Sequence, residues 1–228
     1  MFSIILYMKP LGKVEIKWSP KFAYAIGLMV TDGCLYSDGR HINFTSKDRE
    51  LIDLFISSLH ISMHIGRKAR GASSEKKYFV VQIGDVLFYR FLISIGITPQ
   101  KSKTIGQIKL PSKYFFDFLR GCFDGDGTFY SYWDKRWRSS FMFYTVFISA
   151  SKKHILWLQK EIQKRIDIKG HITTSTRSSV YQLKYAKKES LKLIKKMYYD
   201  RNIPCLSRKR NKIENVLARV EKLVNSPS

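Results

Sequence analysis

The sequence predicts an α+β fold assembled from two copies of one αββαββα unit. Three observations carry this expectation. Residues 22–33, FAYAIGLMVTDG, and residues 116–127, FDFLRGCFDGDG, are both apolar, helix-like runs with a glycine six positions before a closing Asp-Gly. NFTSKDRELIDLFISSL (43–59) and FISASKKHILWLQKEIQ (147–163) both pass from β-like residues through Ser-Lys into an amphipathic helix. Finally, residues 78–103 parallel residues 180–209, and the copies keep register: Lys47 to Ile97 spans 50 positions, and Lys152 to Ile203 spans 51. Such an in-register repeat signals a duplicated supersecondary unit.

In the first copy the motif helix runs to about Thr31 and closes at Asp32-Gly33. A hairpin follows in CLYSDGRHINFT, with Ser37-Asp38-Gly39 supplying turn chemistry. Ser46 then reads as the N-cap of a helix over Lys47–Leu59. Strands are expected at about 63–71 and 76–83; in the second, Phe79, Val81 and Ile83 alternate with Tyr78, Val80 and Gln82, which separates a core face from a mostly polar one. A helix over about 85–95 completes the N-terminal half, residues 1–95, with its motif at 25–33. ITPQKSKTIGQIKLP, with two prolines and several lysines, marks a linker at 96–110. The C-terminal half covers 111–200, with its motif at 119–127 and a longer hairpin: 24 positions separate Gly127 from Ser151, against 13 from Gly33 to Ser46. The extra length holds YSYWDKRWRSS, where cations alternate with aromatics including Trp133 and Trp137. A basic tail, 201–228, carries a last helix over about Ser207–Val224.

Composition narrows the partner. Lys and Arg number 41 against 18 acids, a formal charge of +23, and the isoelectric point is near 10.0. A chain this self-repelling is usually kept for a polyanion; nucleic acid leads, and an anionic membrane surface comes second. Cys34, Cys122 and Cys205 lack paired spacing, which argues against a zinc site or disulfide framework and for a reducing, intracellular setting. MFSIILY is too short for a secretory signal, and no stretch approaches membrane-spanning length, so a secreted or membrane protein is not expected.

The motif helices end on acids, although a helix C-terminus carries partial negative charge and disfavours them. Gly27 and Thr31 lie four apart, as do Gly121 and Gly125, so each helix shows a small-residue face along which two backbones can approach closely. Packed about a pseudo-twofold axis, the helices would bring Asp32 and Asp126 side by side. Two carboxylates so placed repel unless a cation sits between them, and paired hard oxygens suit Mg²⁺. An EF-hand reading of DGDG fails, because its sixth and twelfth loop positions would be Phe129 and Lys135.

AIGLMVTDG (25–33) and LRGCFDGDG (119–127) resemble the two signature helices of the LAGLIDADG homing endonucleases in their monomeric, double-motif form. The resemblance extends from about Pro20 to the tail and implies a saddle of two antiparallel sheets laid on the DNA major groove. It implies that Asp32 and Asp126 bind the divalent cation, Mg²⁺ or another such as Mn²⁺, assisted by the carbonyls of Thr31 and Gly125. PQKSK and PCLSRK match the region where the family places a cation near the scissile phosphates, which points to Lys103 and Arg208; Lys101 and Lys209 lie within reach of the same register. Ser46 and Ser151 stand at the family's water-orienting position but are explained as helix caps. Asp124 would face away from Asp126 and has Val30 as its counterpart in the first motif, so it is read as structural and dispensable for the chemistry.

By alternation, the outward sheet positions are Tyr36, Asn43, Arg70, Lys76, Tyr78 and Gln82 in the first half. In the second they are Tyr130, Tyr132, Arg138, His171, Thr173, Arg177, Gln182 and Lys184. Arg and Lys suit guanine and Asn and Gln suit adenine, while about half of the cations are expected to meet phosphate. The implied activity is metal-dependent cleavage of double-stranded DNA at a long site, leaving short 3′ overhangs. An intron-RNA maturase and a DNA-binding regulator are the alternatives on the same scaffold.

Overall fold

The computed structural model describes residues 12–69, 74–136, 140–175 and 178–225. The first half runs α1 (Pro20–Thr31), β1 (Gly33–Leu35), β2 (His41–Ser46), α2 (Arg49–Ser58), β3 (Gly66–Lys68), β4 (Tyr78–Gly84) and α3 (Val86–Ser94). The second repeats it with α4 (Phe115–Asp126), β5 (Thr128–Trp133), β6 (Phe141–Ser149), α5 (Lys152–Ile166), β7 (His171–Ser175), β8 (Ser178–Ala186) and α6 (Lys187–Met197), and α7 (Ser207–Asn225) follows. Strand order is the same in both antiparallel sheets, β1-β2-β4-β3 and β5-β6-β8-β7. The α+β class and the duplicated αββαββα unit are therefore as the sequence predicts. Between the halves lie two short 3₁₀ turns, Lys101–Lys103 and Ser112–Tyr114.

Helix α1 starts where its sequence says it should. Ser19 caps it, its hydroxyl accepting from the Phe22 amide at 3.1 Å, and Pro20 fills the first turn, where a missing N–H is harmless. Every residue from Phe22 to Val30 is buried, as befits a helix packed on all sides. Core faces of the strands close the layers: Ile42, Phe44, Val81 and Ile83 in the first sheet, and Phe129, Phe143, Phe147, Leu183 and Tyr185 in the second. Phe44 stacks on Phe55 of α2 with ring centroids 4.2 Å apart, and Phe115 and Phe118 of α4 meet Trp157 of α5 edge-on.

Two local expectations are corrected. Ser46 does not cap α2; it closes β2, its hydroxyl accepts from the Asp48 amide at 3.0 Å, and Asp48 takes the cap position. Its structural counterpart is Ser149, which closes β6 and accepts from Ser151 N–H at 3.1 Å, whereas Ser151 does cap α5. The first of the paired strands shrinks from 63–71 to Gly66–Lys68.

The cap of α3 has a larger role than its sequence suggests. Asp85 is 1% exposed, and its carboxylate accepts from Phe88 N–H at 2.8 Å and from the amides of Lys13 and Val14 at 2.6 and 3.0 Å. It thus ties the segment before α1 to the last helix of the first half. Asp85→Ala is expected to lower stability by about 3 kcal/mol, one lost cap plus stranded buried amides. The check is a fall in the urea midpoint with an unchanged denaturant slope.

Candidate active site at the paired helix ends

The two halves join through α1 and α4, and glycine makes the approach possible. A Cβ on Gly27 would land on the Phe118 carbonyl oxygen and 2.9 Å from Gly121 Cα; one on Gly121 would land on the Tyr24 carbonyl oxygen. One turn further on, a Cβ on Gly125 would strike the Thr31 hydroxyl and lie 2.8 Å from Asp32 Oδ2. The C-terminal ends of both helices are therefore in contact, with Asp32 folded over the end of α4. Gly33 and Gly127 then turn the chain into β1 and β5. They are needed for space and not for a left-handed backbone: neither has positive φ, and a Cβ would run into Met29 or Phe123 of the preceding turn.

Thr31 Oγ donates to Leu28 O at 2.9 Å and lies 3.3 Å from Asp32 Oδ2. Burial, and next the charge of Asp126, push the Asp32 carboxyl up to about 6. Asp126 itself is exposed at the rim. One lysine answers the negative end of each helix. Lys101, 6% exposed, donates from Nζ to Gly33 O at 2.5 Å. Lys209, 8% exposed, reaches the carbonyls of Phe123, Asp124, Gly125 and Gly127 at 2.5, 2.8, 3.3 and 2.6 Å. Burial lowers both ammonium groups, Lys209 to about 8, while the charges of Asp32 and Asp126 oppose the shift. A cation at a helix C-terminus offsets the macrodipole, which resolves how both helices tolerate an acidic end.

These lysines, and not the pair that the sequence favours, accompany the carboxylates. Lys103 points to solvent from the 3₁₀ turn, and Arg208 is exposed and pairs with Asp48 of α2 at 2.9 Å. Lys101 and Lys209 stand two before and one after those positions. They also differ from one another. Lys209 spreads three N–H groups over four carbonyls, the Gly125 carbonyl among them, whereas among the described residues Lys101 Nζ donates to Gly33 O alone and lines the same cleft as Thr31, Asp32 and Asp126.

Asp124 faces away from the rim and has a structural place. It is fully buried and accepts from Tyr24 Oη at 2.8 Å, from Leu206 N–H at 2.8 Å and from Tyr198 Oη at 3.4 Å. Beside it, buried Arg120 pairs with Asp117 at 2.8 Å and donates to Met197 O at 2.6 Å and Pro204 O at 2.9 Å. The second motif thereby fixes the α6–α7 crossing that delivers Lys209. Burial holds the Asp124 carboxyl up near 6, against the Leu206 amide and the Lys209 charge.

Strand pairing sorts the expected reading positions. Cys34, Asn43 and Gln82 are cross-strand partners, so with Tyr36, Thr45 and Tyr78 they share the face turned away from the first core. Asn43 is nevertheless 7% exposed, its amide donating to Tyr36 Oη at 2.8 Å. Lys76 is exposed just before β4. On the second sheet, Tyr130, Tyr132, Gln182, Lys184, His171 and Thr173 share the corresponding face. Sequence reading missed Tyr144, whose ring stacks with Tyr130 and Tyr132 at interplanar angles of 18° and 3°; the signal was the aromatic opposite Tyr130 across the hairpin. Arg70, Arg138, Arg177 and Trp137 lie outside the described residues.

Among the described residues no group of three or more His, Cys, Asp or Glu side chains converges on one point. Two adjacent carboxylates still fit Mg²⁺, which keeps several waters and is commonly held by one or two carboxylates together with substrate phosphate oxygens. No helix among the described residues is long and apolar enough to cross a membrane.

No family model matches the sequence, and no curated protein matches it. Solved structures do. The I-LtrWI LAGLIDADG homing endonuclease bound to target DNA matches with a TM-score of 0.58 and 10% identity, over 90% of this chain and 92% of that one. I-DmoI in complex with DNA and Mn matches with a TM-score of 0.51 and 14% identity, over 79% and 97%. The N-terminal LAGLIDADG domain of DUF199/WhiA matches with a TM-score of 0.51 and 15% identity, over 82% and 85%. At such identities the likeness establishes the fold, which is the LAGLIDADG fold.

Proposed function

We propose that this LAGLIDADG-fold chain is a site-specific double-stranded DNA endonuclease of the homing type, which cleaves both strands of a long target with a divalent cation and leaves short 3′ overhangs. The observation that carries the reading is the meeting of Asp32 and Asp126 at one rim with a buried lysine at each helix end. A scaffold used only to bind DNA gains nothing from setting these two carboxylates together, since burial and the neighbouring Asp126 charge disfavour ionisation of Asp32. A duplicated helix face that ends in the same acid twice is what two-strand chemistry calls for. I-DmoI with DNA and Mn, and I-LtrWI on target DNA, support a DNA partner and a divalent cation.

Asp32 and Asp126 are the residues to hold Mg²⁺ or Mn²⁺. When bound, the cation supplies phosphate charge neutralisation, an activated water and stabilisation of the leaving 3′ oxygen. Lys101 keeps donor capacity beyond its bond to Gly33 and stabilises the negative charge that grows on the phosphate. Lys209 fixes the end of α4, and with it Asp126. Both motifs lie in one chain, so a monomer suffices. The outward sheet faces then read the major groove, with Gln82 and Gln182 suited to adenine and Lys184 to guanine.

The test is incubation with a randomised duplex library in Mg²⁺, followed by capture and sequencing of broken ends. One recurrent sequence with paired breaks is the expected result, and affinity should fall steeply with salt as several phosphate contacts release counterions. A recurrent bound sequence without breaks would support the regulator reading instead. RNA binding without duplex binding would support the maturase.

A further inference from the structure

We propose that Ser151 and His154, on the first turn of α5, form a latch that positions Lys101 across the boundary between the halves. Ser151 Oγ donates to Ile105 O at 2.5 Å, and His154 Nδ1 lies 2.7 Å from Gly106 O. A carbonyl only accepts, so Nδ1 carries the proton, and burial, which pushes this imidazole down to about 4, keeps it neutral. Ser151 is 1% exposed and His154 3%, and the histidine ring packs on Trp157 with centroids 5.4 Å apart. The anchored carbonyls belong to the first half's linker, whose single turn bonds back to the lysine: Ile105 N–H donates to Lys101 O at 2.8 Å and Thr104 N–H at 3.0 Å.

On the first half's own side the linker is held at its ends, by Ile97 N–H on Leu92 O and Lys109 N–H on Ile95 O, both at 2.9 Å; the two α5 bonds fix it between them, next to the turn that carries Lys101. Lys101 is 6% exposed and reaches Gly33 O with Nζ at 2.5 Å. A shift of the Lys101 backbone withdraws the ammonium group from the site. Nothing in the sequence of His154 announces this role, since its partner is 48 residues away. The second half holds Lys209 differently, through Asp124 on Leu206 N–H, so each lysine has its own support. The latch is a positioning device; its kinetic consequence rests on the endonuclease reading, its structural consequence does not.

The structural arm measures lysine acylation by N-hydroxysuccinimide acetate, mapped by mass spectrometry on the metal-free protein. His154→Phe keeps ring and volume but has no donor; Ser151→Ala removes the other bond; His154→Asn retains a donor near Nδ1. In the first two, Lys101 is expected to react about tenfold faster through local opening while Lys209 stays protected. His154→Asn should restore protection. If His154→Phe fails to fold, Ser151→Ala carries the same test, and unchanged Lys101 protection in a folded Ser151→Ala or His154→Phe protein overturns the latch. The kinetic arm uses the duplex recovered from the library. Latch variants should bind it with unchanged affinity and lose about 100-fold in the cleavage rate of one strand. That strand should be the one slowed by Lys101→Met, with no further loss in the double variant. Equal slowing of both strands overturns the latch, while a wild-type protein that cleaves no duplex overturns the endonuclease reading and leaves the acylation result standing.

Discussion

Gly121→Ala is expected to unfold the protein, a loss beyond about 4 kcal/mol from one methyl group. The new Cβ would clash with the Tyr24 carbonyl oxygen and lie 3.1 Å from Leu28 N. Those are backbone atoms of a helix buried from Phe22 to Val30, so no side chain can rotate aside, and relief requires α1 and α4 to separate. Separation would expose the apolar seam between the halves and break the buried bond from Tyr24 to Asp124. Since native domains are stable by only about 5–15 kcal/mol, that is close to the whole margin. Gly106→Ala is the control: nothing lies within 4 Å of its Cβ position, and a change of less than about 0.5 kcal/mol is expected there. Thermal and urea unfolding of the two variants checks the contrast; a Gly121→Ala protein with the wild-type midpoint would show that the helices can part at little cost.

The contrast also explains what was legible in the sequence. Gly27 and Gly121 were readable because close helix packing tolerates no other residue, and the two terminal acids because the repeat displayed them twice. The alternation in β4 was readable because a strand's faces follow from spacing alone. The cations were not. Several basic residues crowd each segment, and the choice falls to Lys101 through the left-handed Gln100 (φ 53°) that starts the 3₁₀ turn, and to Lys209 through the start of α7 at Ser207. Neither offset has a local signature. The partners of Asp124 were hidden for a related reason: comparison with Val30 tested local symmetry, but Tyr24 and Leu206 are 100 and 82 residues away. Ser151 and His154 likewise act on carbonyls nearly 50 residues distant. Steric requirements within an element leave a mark in sequence, whereas hydrogen bonds between elements leave almost none.

Asp32→Asn and Asp126→Asn are each expected to lower double-strand cleavage by at least about 1,000-fold, because charge neutralisation at the phosphate is the step that a neutral amide cannot support. Duplex affinity at fixed salt should stay within about threefold, since phosphate contacts dominate it. For Asp32 the substitution carries a second, opposite signature that needs no substrate. Its carboxyl sits near 6 in the metal-free protein, above the ordinary value near 4, so folding favours the protonated form. That contribution is full below pH 4 and is lost as pH rises through about 6, where Asp32 ionises beside Asp126. Asparagine never ionises. In chelator, Asp32→Asn should therefore be more stable than the wild type at pH 7.5, by about 1 kcal/mol once solvent screening is allowed for, with the gap closing toward pH 4. Mg²⁺ should raise the wild-type midpoint at pH 7.5 and lose about tenfold in apparent affinity by pH 5, where protons compete for Asp32. Unfolding midpoints measured across that range, with and without Mg²⁺, decide the matter. A variant that is less stable than the wild type at every pH would make Asp32 a structural acid; one that gains stability while losing cleavage marks a carboxylate held at the site against the preference of the fold.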